Sequence, residues 1–173
     1  MKELVKKAMN GNKDAFSEII DALKMDLYKI AKVRLKNEDD VLDAIQETIV
    51  SSYKSIKNLN NPDNFKKWII KILINKCNNI YLQKNNKLIY FEDISEVSTV
   101  CEDESLKSIE VEDVLKYLTN EERIIITLYY LEDYKSKEIA WILDMNENTV
   151  KTKISRAKIK LKNKFEGGSF YNG

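Results

Sequence analysis

Histidine is absent from this sequence of 173 residues, and cysteine, proline and glycine are scarce. Without histidine, the chain has no His-type zinc site, no Ser-His-Asp triad and no histidine general base. The two cysteines, Cys77 and Cys101, are too few for a zinc cluster or a disulfide framework and indicate a reducing compartment. One proline and four glycines argue against turn-rich β folds and glycine-loop sites. No apolar run approaches the roughly 18 residues of a membrane span, and a signal-peptide core is lacking, which predicts a cytoplasmic protein.

Apolar residues recur at helical spacing along most of the chain. The pattern runs from Phe16 to Leu35, from Val41 to Ile56 and from Phe65 to about Gln83. It is lost over residues 86–108, which are rich in acids, serine and threonine and contain a short strand-like run at 88–91. Helices are predicted again from about residue 109, with a capping box at 119–122. The fold prediction is all-α, with two small helical domains joined by a flexible acidic linker.

Charge is divided unevenly along the chain, although the net charge is only +1. Residues 1–91 carry 17 basic and 11 acidic side chains, and residues 114–173 carry 11 basic and 8 acidic side chains. Residues 92–113 between them carry one lysine and nine acids. Two basic segments flanking an acidic one indicate a polyanionic partner, although charged faces that are simply solvated explain the same counts.

The most specific local pattern is a helix-turn-helix at residues 136–165. Ala140 is small where a second helix must pass close, and residues 144–146 form a predicted tight turn in which Asp144 tolerates the left-handed conformation. Val150 and Ile154 are expected to face the first helix. Seven basic residues and no acid follow Asn148 as far as Phe165, as suits a helix that lies in a DNA groove.

Residues 118–124 (LTNEERI), 131–140 (LEDYKSKEIA) and 148–157 (NTVKTKISRA) resemble the fourth conserved region of bacterial RNA polymerase sigma factors. Residues 11–16 (GNKDAF), 43–48 (DAIQET) and 65–75 (FKKWIIKILIN) are similar to sigma region two. Two such regions in this order, joined by a short linker, resemble the layout of the extracytoplasmic-function (ECF) group of these sigma factors. The resemblance implies region two at 1–85, a linker at 86–108, region four at 109–166 and a tail at 167–173.

The resemblance also assigns roles to individual residues. It implies that one set binds core polymerase: Leu42, Asp43, Gln46 and Glu47. A second set would bind the promoter −10 element: Lys67, Trp68, Lys71, Asn75, Lys76 and Asn79. Asn75 would read a flipped base, the lysines (with Lys66 and Lys84) would supply charge for a separated strand, and Trp68 is mainly structural. A third set would bind the −35 element: Thr149, Lys151, Thr152, Lys153, Ser155 and Arg156.

The resemblance implies three kinds of partner and no catalytic role. The partners are core polymerase, through its β′ coiled coil and β flap, promoter DNA in duplex and single-stranded form, and an anti-sigma factor that can be membrane-anchored. We expect no metal, no cofactor and no small-molecule substrate. Two alternatives remain open from the residues alone: a stand-alone helix-turn-helix regulator, and a helical interaction protein with no DNA role.

Overall fold

The structure, a computed structural model that describes residues 1–89 and 114–166, consists of helices joined by short loops in these ranges. It has no strand in either range, as the all-α prediction requires. Two short 3-10 helices, Ile56–Asn58 and Pro62–Asn64, precede the fourth α-helix. Seven α-helices have bounds within the described residues: α1 (Lys2–Met9), α2 (Lys13–Arg34), α3 (Glu38–Ser55), α4 (Phe65–Ile89), α5 (Asn120–Tyr130), α6 (Ser136–Leu143) and α7 (Glu147–Glu166).

Polar side chains begin several of these helices by accepting hydrogen bonds from unpaired backbone N–H groups. Asn12 accepts from the N–H of Ala15 at the start of α2, and Asn37 accepts from the N–H of Asp40 at the start of α3. Before α5, Thr119 accepts from the N–H of Glu122, whose carboxylate accepts from the Thr119 N–H. The predicted capping box is therefore present.

Helix α4 is longer than the sequence pattern predicted. The helical period was expected to end near Gln83, with Leu88 in a short strand-like run, but α4 continues to Ile89. Neither glycine nor proline occurs between these positions, so nothing in the sequence breaks the helix there. The first four residues of the predicted linker, 86–89, therefore belong to α4. The rest of that run, residues 90–108 of the predicted linker and the start of the helix expected at 109 lie outside the described residues.

The predicted helix-turn-helix is present in the second half. The first helix, α6, ends at Asp144, which has φ 52° and ψ 43°, in the left-handed region that aspartate enters at a lower cost than most residues. Asn146 accepts a hydrogen bond from the N–H of Asn148 and so supports the start of α7. Val150 and Ile154 are buried, as predicted, with 0% and 6% exposure.

The two halves pack directly against each other through one continuous apolar core. Helix α2 contacts α5, and α4 contacts α6. Ile124, Leu128 and Ile139 from the second half belong to the same buried cluster as Leu27 and Leu73 from the first half. This packing positions the polar faces of both halves relative to each other. No helix in the two described ranges is long and apolar enough to cross a membrane.

The Thr119 cap gives a first test of the fold. We expect Thr119→Ala to lower the free energy of unfolding by about 1 kcal/mol, because two N–H groups at the start of α5 lose their reciprocal partners. Urea unfolding measures this difference. Ser17→Ala, at an exposed position within α2, is the matched control and should change little. Equal stability of the two variants would contradict the capping role.

Candidate nucleic-acid and protein interfaces

The N-terminal half of α7 presents a continuous polar surface to solvent. Its buried stripe is formed by Val150, Ile154 and Ala157, which pack inward with at most 6% exposure. The opposite side carries five of the six residues predicted for −35 recognition, all exposed: Thr149, Lys151, Thr152, Ser155 and Arg156. A helix that is apolar on one side and exposes hydroxyl and cationic groups on the other can enter a DNA groove without losing its packing.

The sixth residue, Lys153, lies at the edge of the buried stripe. Its ammonium group is 2.6 Å from the Glu121 carboxylate of α5, and its side chain is 29% exposed. Lys151 is 2.8 Å from Glu147 one turn earlier on α7, and it keeps 58% of its side chain exposed. Of these two lysines, Lys151 is therefore the more accessible to a phosphate.

Helix α3 exposes a face that extends beyond the four residues predicted from the sequence. Those four residues, Leu42, Asp43, Gln46 and Glu47, are all exposed. Val50 and Tyr53 extend this face, with 52% and 41% exposure. Positions 42, 46, 50 and 53 share one side of a helix, so a row of three apolar residues and one glutamine faces outward beside the carboxylates of Asp43 and Glu47. The three- and four-residue steps from Leu42 through Gln46 to Val50 and Tyr53 were a signal that could have identified the two additional residues.

Helix α4 carries the residues predicted for the −10 element along a row with four-residue steps. Each step rotates by about 40° around the helix, so positions 67, 71, 75 and 79 change surroundings along the row. Asn75 and Asn79 are exposed, whereas Lys67 and Lys71 are half-buried. Trp68 is also half-buried and packs against Phe65 with ring centroids 5.7 Å apart, which fits its predicted structural role.

Three lysines of α4 bind carboxylates from the second half of the chain. The Lys66 ammonium lies 2.9 Å from Glu132 and 2.7 Å from Asp26 of α2. Lys67 lies 2.9 Å from Glu138. The third pair joins Lys71 and Asp144. These ion pairs cross the boundary between the halves, and they join residues more than 60 positions apart in the sequence.

Lys71 makes two further contacts with the helix-turn-helix. Its ammonium group donates a hydrogen bond to the Trp141 backbone carbonyl at 2.9 Å and lies 4.8 Å from the centre of the Trp141 ring. A cation above an indole face is attracted by the ring quadrupole. Trp141, which is 47% exposed, was not among the predicted site residues.

Lys66 and Glu138, on the two sides of this boundary, are both charged at neutral pH. Burial acts to lower the pKa of Lys66, but hydrogen bonds to Asp26 and Glu132 outweigh it and raise the pKa above its usual value. The hydrogen bond from Lys67 lowers the pKa of Glu138, with a further contribution from the Lys135 backbone N–H. A lowered carboxyl pKa means that the Lys67–Glu138 pair is present at neutral pH and is lost only in acid, as Glu138 takes up a proton.

The other two lysines predicted to contact a DNA strand bind carboxylates of α3. Lys76 is 3.1 Å from Glu47, and Lys84 is 2.7 Å from Asp40. The Lys76–Glu47 pair joins a residue predicted for the −10 element to one predicted for core polymerase. The face of α3 and the row on α4 are therefore neighbouring surfaces. Cys77 of α4 is buried in the core, and burial raises the pKa of its thiol to about 12.

A groove of about 370 Å³ runs along the boundary between the halves. Ile74 and Leu82 of α4 line one side, and Leu143 and Met145 of the helix-turn-helix line the other. The apolar contact between the halves is therefore incomplete between these residues.

Comparison with known families and proteins matches both halves of the chain. A family model described as Sigma-70 region 2 matches residues 19–87, and one described as Sigma-70, region 4 matches residues 108–161. The chain is 35% identical to the RNA polymerase sigma factor SigV of Bacillus subtilis over 135 residues, which cover 78% of this chain and 81% of that protein. It is 28% identical to the ECF RNA polymerase sigma-E factor of Haemophilus influenzae, over 94% of each chain.

The chain belongs to the ECF sigma factors. Solved structures of similar fold include CnrH in complex with the cytosolic domain of CnrY, with a TM-score of 0.70 and 23% identity over 97% of this chain and 98% of that one. A second is the sigma factor RpoE in complex with the anti-sigma factor NepR from Bartonella quintana, with a TM-score of 0.75 and 20% identity over 90% of this chain and 98% of that one.

Membership of this family confirms the resemblance stated from the sequence and, with it, the assignment to promoter-directing transcription initiation factors. A stand-alone helix-turn-helix regulator is not favoured, because the first half also matches a sigma region. The sequence did not identify the carboxylate partners of the α4 lysines. Glu132, Glu138 and Asp144 follow no local spacing that relates them to α4, and only the tertiary contact identifies them.

The Lys66–Glu132 pair gives a test of the boundary between the halves. Glu132 retains only 6% of its side-chain exposure, so Lys66→Met leaves a nearly buried carboxylate without its nearest cation. Because Lys66 is itself 40% exposed, solvent screens the pair, and we expect a loss of about 2 kcal/mol in the free energy of unfolding rather than the full cost of breaking a buried pair.

Urea unfolding measures this loss, and Glu132→Gln added to the same chain should recover part of it. Lys29→Met, at an exposed position on α2, is the control. If Lys66→Met were as stable as the control, the Lys66 ammonium would not be needed to compensate the charge of the Glu132 carboxylate.

Proposed function

We propose that this ECF sigma factor binds core RNA polymerase and directs it to a specialised set of promoters for stress or envelope functions. In this proposal, residues 1–85 form region two, 86–108 the linker, 109–166 region four and 167–173 a tail. The observation that carries the proposal is that one chain combines an exposed polar side of α7 with exposed amides at Asn75 and Asn79 of α4 and an exposed face on α3.

Recognition of the −35 element would be carried out by α7 in the major groove. Arg156 is the one side chain in the set that can bind a guanine through two parallel hydrogen bonds. Lys151 would contact phosphate or a base as a point charge, while Thr149, Thr152 and Ser155 offer hydroxyl groups. Lys153 would first have to leave Glu121, so we assign it a smaller share of the contact.

Recognition of the −10 element would use the exposed end of the α4 row. The amide of Asn75 can pair with the edge of a base that has left the stack, and Asn79 lies one turn further along the same side. Lys67, Lys71 and Lys76 would bind the phosphates of the separated strand. Trp68 would hold the helix in place by packing on Phe65 rather than stacking on a base.

Binding of core polymerase would use the outward face of α3. Leu42 supplies apolar area, while Asp43, Gln46 and Glu47 supply acceptors beside it. Such a face, with apolar and polar residues along one side of a helix, suits a helical partner such as the β′ coiled coil, with the β flap contacting region four. The exposure of Val50 and Tyr53 supports an interface that extends one or two turns beyond Glu47.

Regulation and location follow from the same proposal. Sigma factors are in general non-catalytic initiation factors, and we propose that this chain acts without a cofactor and has no enzymatic activity of its own. Similar folds were solved with proteins described as an anti-sigma factor and as a cytosolic domain. This supports an anti-sigma partner here, and a location in the cytoplasm, held at the membrane when that partner is anchored.

Transcription in vitro tests the proposal as a whole, and Asn75→Ala tests its −10 assignment. Core polymerase with this chain should give discrete start sites on genomic fragments, preceded by shared −35 and −10 sequences. Asn75→Ala should reduce open-complex formation by about ten-fold, since loss of a base contact removes about 1–3 kcal/mol. Asn58→Ala is an exposed control. Unchanged promoter opening by Asn75→Ala would remove this residue from the −10 contact.

The core-polymerase face is tested by a paired substitution on α3. We expect Asp43→Ala with Glu47→Ala to weaken binding of core polymerase by about ten-fold, because both carboxylates border the proposed interface. Binding is measured by fluorescence anisotropy of the labelled sigma factor. Asp14→Ala with Glu18→Ala makes the same charge change on α2. Full retention of affinity by the α3 pair would show that core polymerase binds elsewhere.

A further inference from the structure

The α4 lysines assigned to the −10 strand are already bound within the chain. Lys66, Lys67 and Lys71 each contact a carboxylate from the segment between Glu132 and Asp144. This segment consists of the loop before α6, α6 itself and the turn of the helix-turn-helix. A single rigid piece of region four thus covers one stretch of α4.

These contacts leave little room for a phosphate at the same ammonium groups. Lys67 and Lys71 are 25% and 22% exposed. A carboxylate oxygen and a phosphate oxygen are equivalent acceptors for an ammonium group. Because Trp141 also lies beside Lys71, an incoming strand would meet protein where it needs the cation. The strand and the three carboxylates therefore compete for the same groups.

We propose that Glu132, Glu138 and Asp144 act as an internal substitute for DNA phosphates, so that region four masks the strand-binding lysines of region two in the free chain. This rests on the proposed role of α4 in binding the −10 strand. The mask is removed when region four moves away from α4. The free sigma factor is thereby kept from binding single-stranded nucleic acid before it has reached polymerase.

The three carboxylates contribute only part of the contact between the halves. Partly exposed ion pairs each contribute a few-fold to an equilibrium, so the three together contribute about ten-fold, and the apolar core between the halves contributes the rest. The groove lined by Leu143 and Met145, the two neighbours of Asp144 in the sequence, leaves part of the boundary incompletely packed. The Lys66–Glu132 pair lies at the other, more buried end, where Glu132 is 6% exposed.

Local structure alone does not explain the aspartate at position 144. Its φ of 52° is a conformation that glycine adopts without strain and aspartate adopts at a cost. Asp144 is 70% exposed, so packing does not require its side chain. Its carboxylate instead reaches Lys71 on α4.

The test neutralises the three carboxylates without changing their shape. Glu132→Gln, Glu138→Gln and Asp144→Asn are combined in the full chain. The amide oxygen introduced by Glu138→Gln would still accept the hydrogen bond from the Lys135 N–H, and asparagine tolerates the left-handed conformation. The control carries the same charge change on exposed positions of α2, with Asp14→Asn, Glu18→Gln and Asp21→Asn.

Affinity for a short single-stranded oligodeoxynucleotide is measured by anisotropy for the wild type and both variants at one salt concentration. We expect the mask variant to bind the oligonucleotide about ten-fold more tightly than the wild type does. The control variant should bind it at most about two-fold more tightly than the wild type. Equal affinity of the mask variant and the control would overturn the proposal, because net charge alone would then explain the gain.

Carbodiimide cross-linking of the unmodified chain provides a second measurement that does not depend on the variants folding. It joins a contacting lysine and carboxylate through an amide. We expect Lys66–Glu132 and Lys67–Glu138 peptides in the free chain, and their loss in the open promoter complex. Absence of both peptides from the free chain would overturn the proposal.

The transcription assay separates failure of this proposal from failure of the proposed function. If the wild type initiates at specific promoters while the mask variant binds the oligonucleotide no better than the control, only the mask is wrong. If the wild type gives no specific initiation with core polymerase, the proposed function fails, and with it the reason for a mask.

Discussion

The packing of α4 between helices of both halves is the constraint on which the rest of this structure depends. Phe65, Ile69 and Leu73 are buried in the core of the first half, with 1% exposure or less. Ile74, on another side of the same helix, meets the groove along the second half. Because two sides of α4 are occupied by apolar contacts, its polar residues are confined to the sides that remain. This arrangement exposes Asn75 and Asn79 but places Lys67 and Lys71 at the boundary between the halves.

Charge and apolar packing have different roles at this boundary. The continuous apolar cluster accounts for the contact between the halves, since burial of apolar area is the main favourable term in folding. The ion pairs add specificity more than stability, because partly exposed pairs contribute little free energy. They fix which turn of α4 faces α6, and they do so with side chains that also have the chemistry of DNA binding. Apolar packing and charge pairing are thus carried by neighbouring but distinct residues.

Local features of this fold were predictable from the sequence, and contacts between distant residues were not. The capping box at Thr119, the left-handed Asp144 and the buried side of α7 depend on residues within about four positions of each other, and all three predictions are confirmed. The family resemblance was likewise carried by short segments. The partners of Lys66, Lys67 and Lys71 depend on how the two halves dock, and charged side chains carry no period that reveals it. The wider α3 face could have been found from the spacing of Val50 and Tyr53.

The position of Asp144 has a genetic consequence. Aspartate and glycine codons differ by a single nucleotide, and glycine is the residue that the left-handed turn accepts most readily. One point mutation would therefore relieve the turn and remove the carboxylate partner of Lys71 together. Under the proposed masking, a single nucleotide change at this codon would weaken the cover over Lys71 while the turn itself is retained.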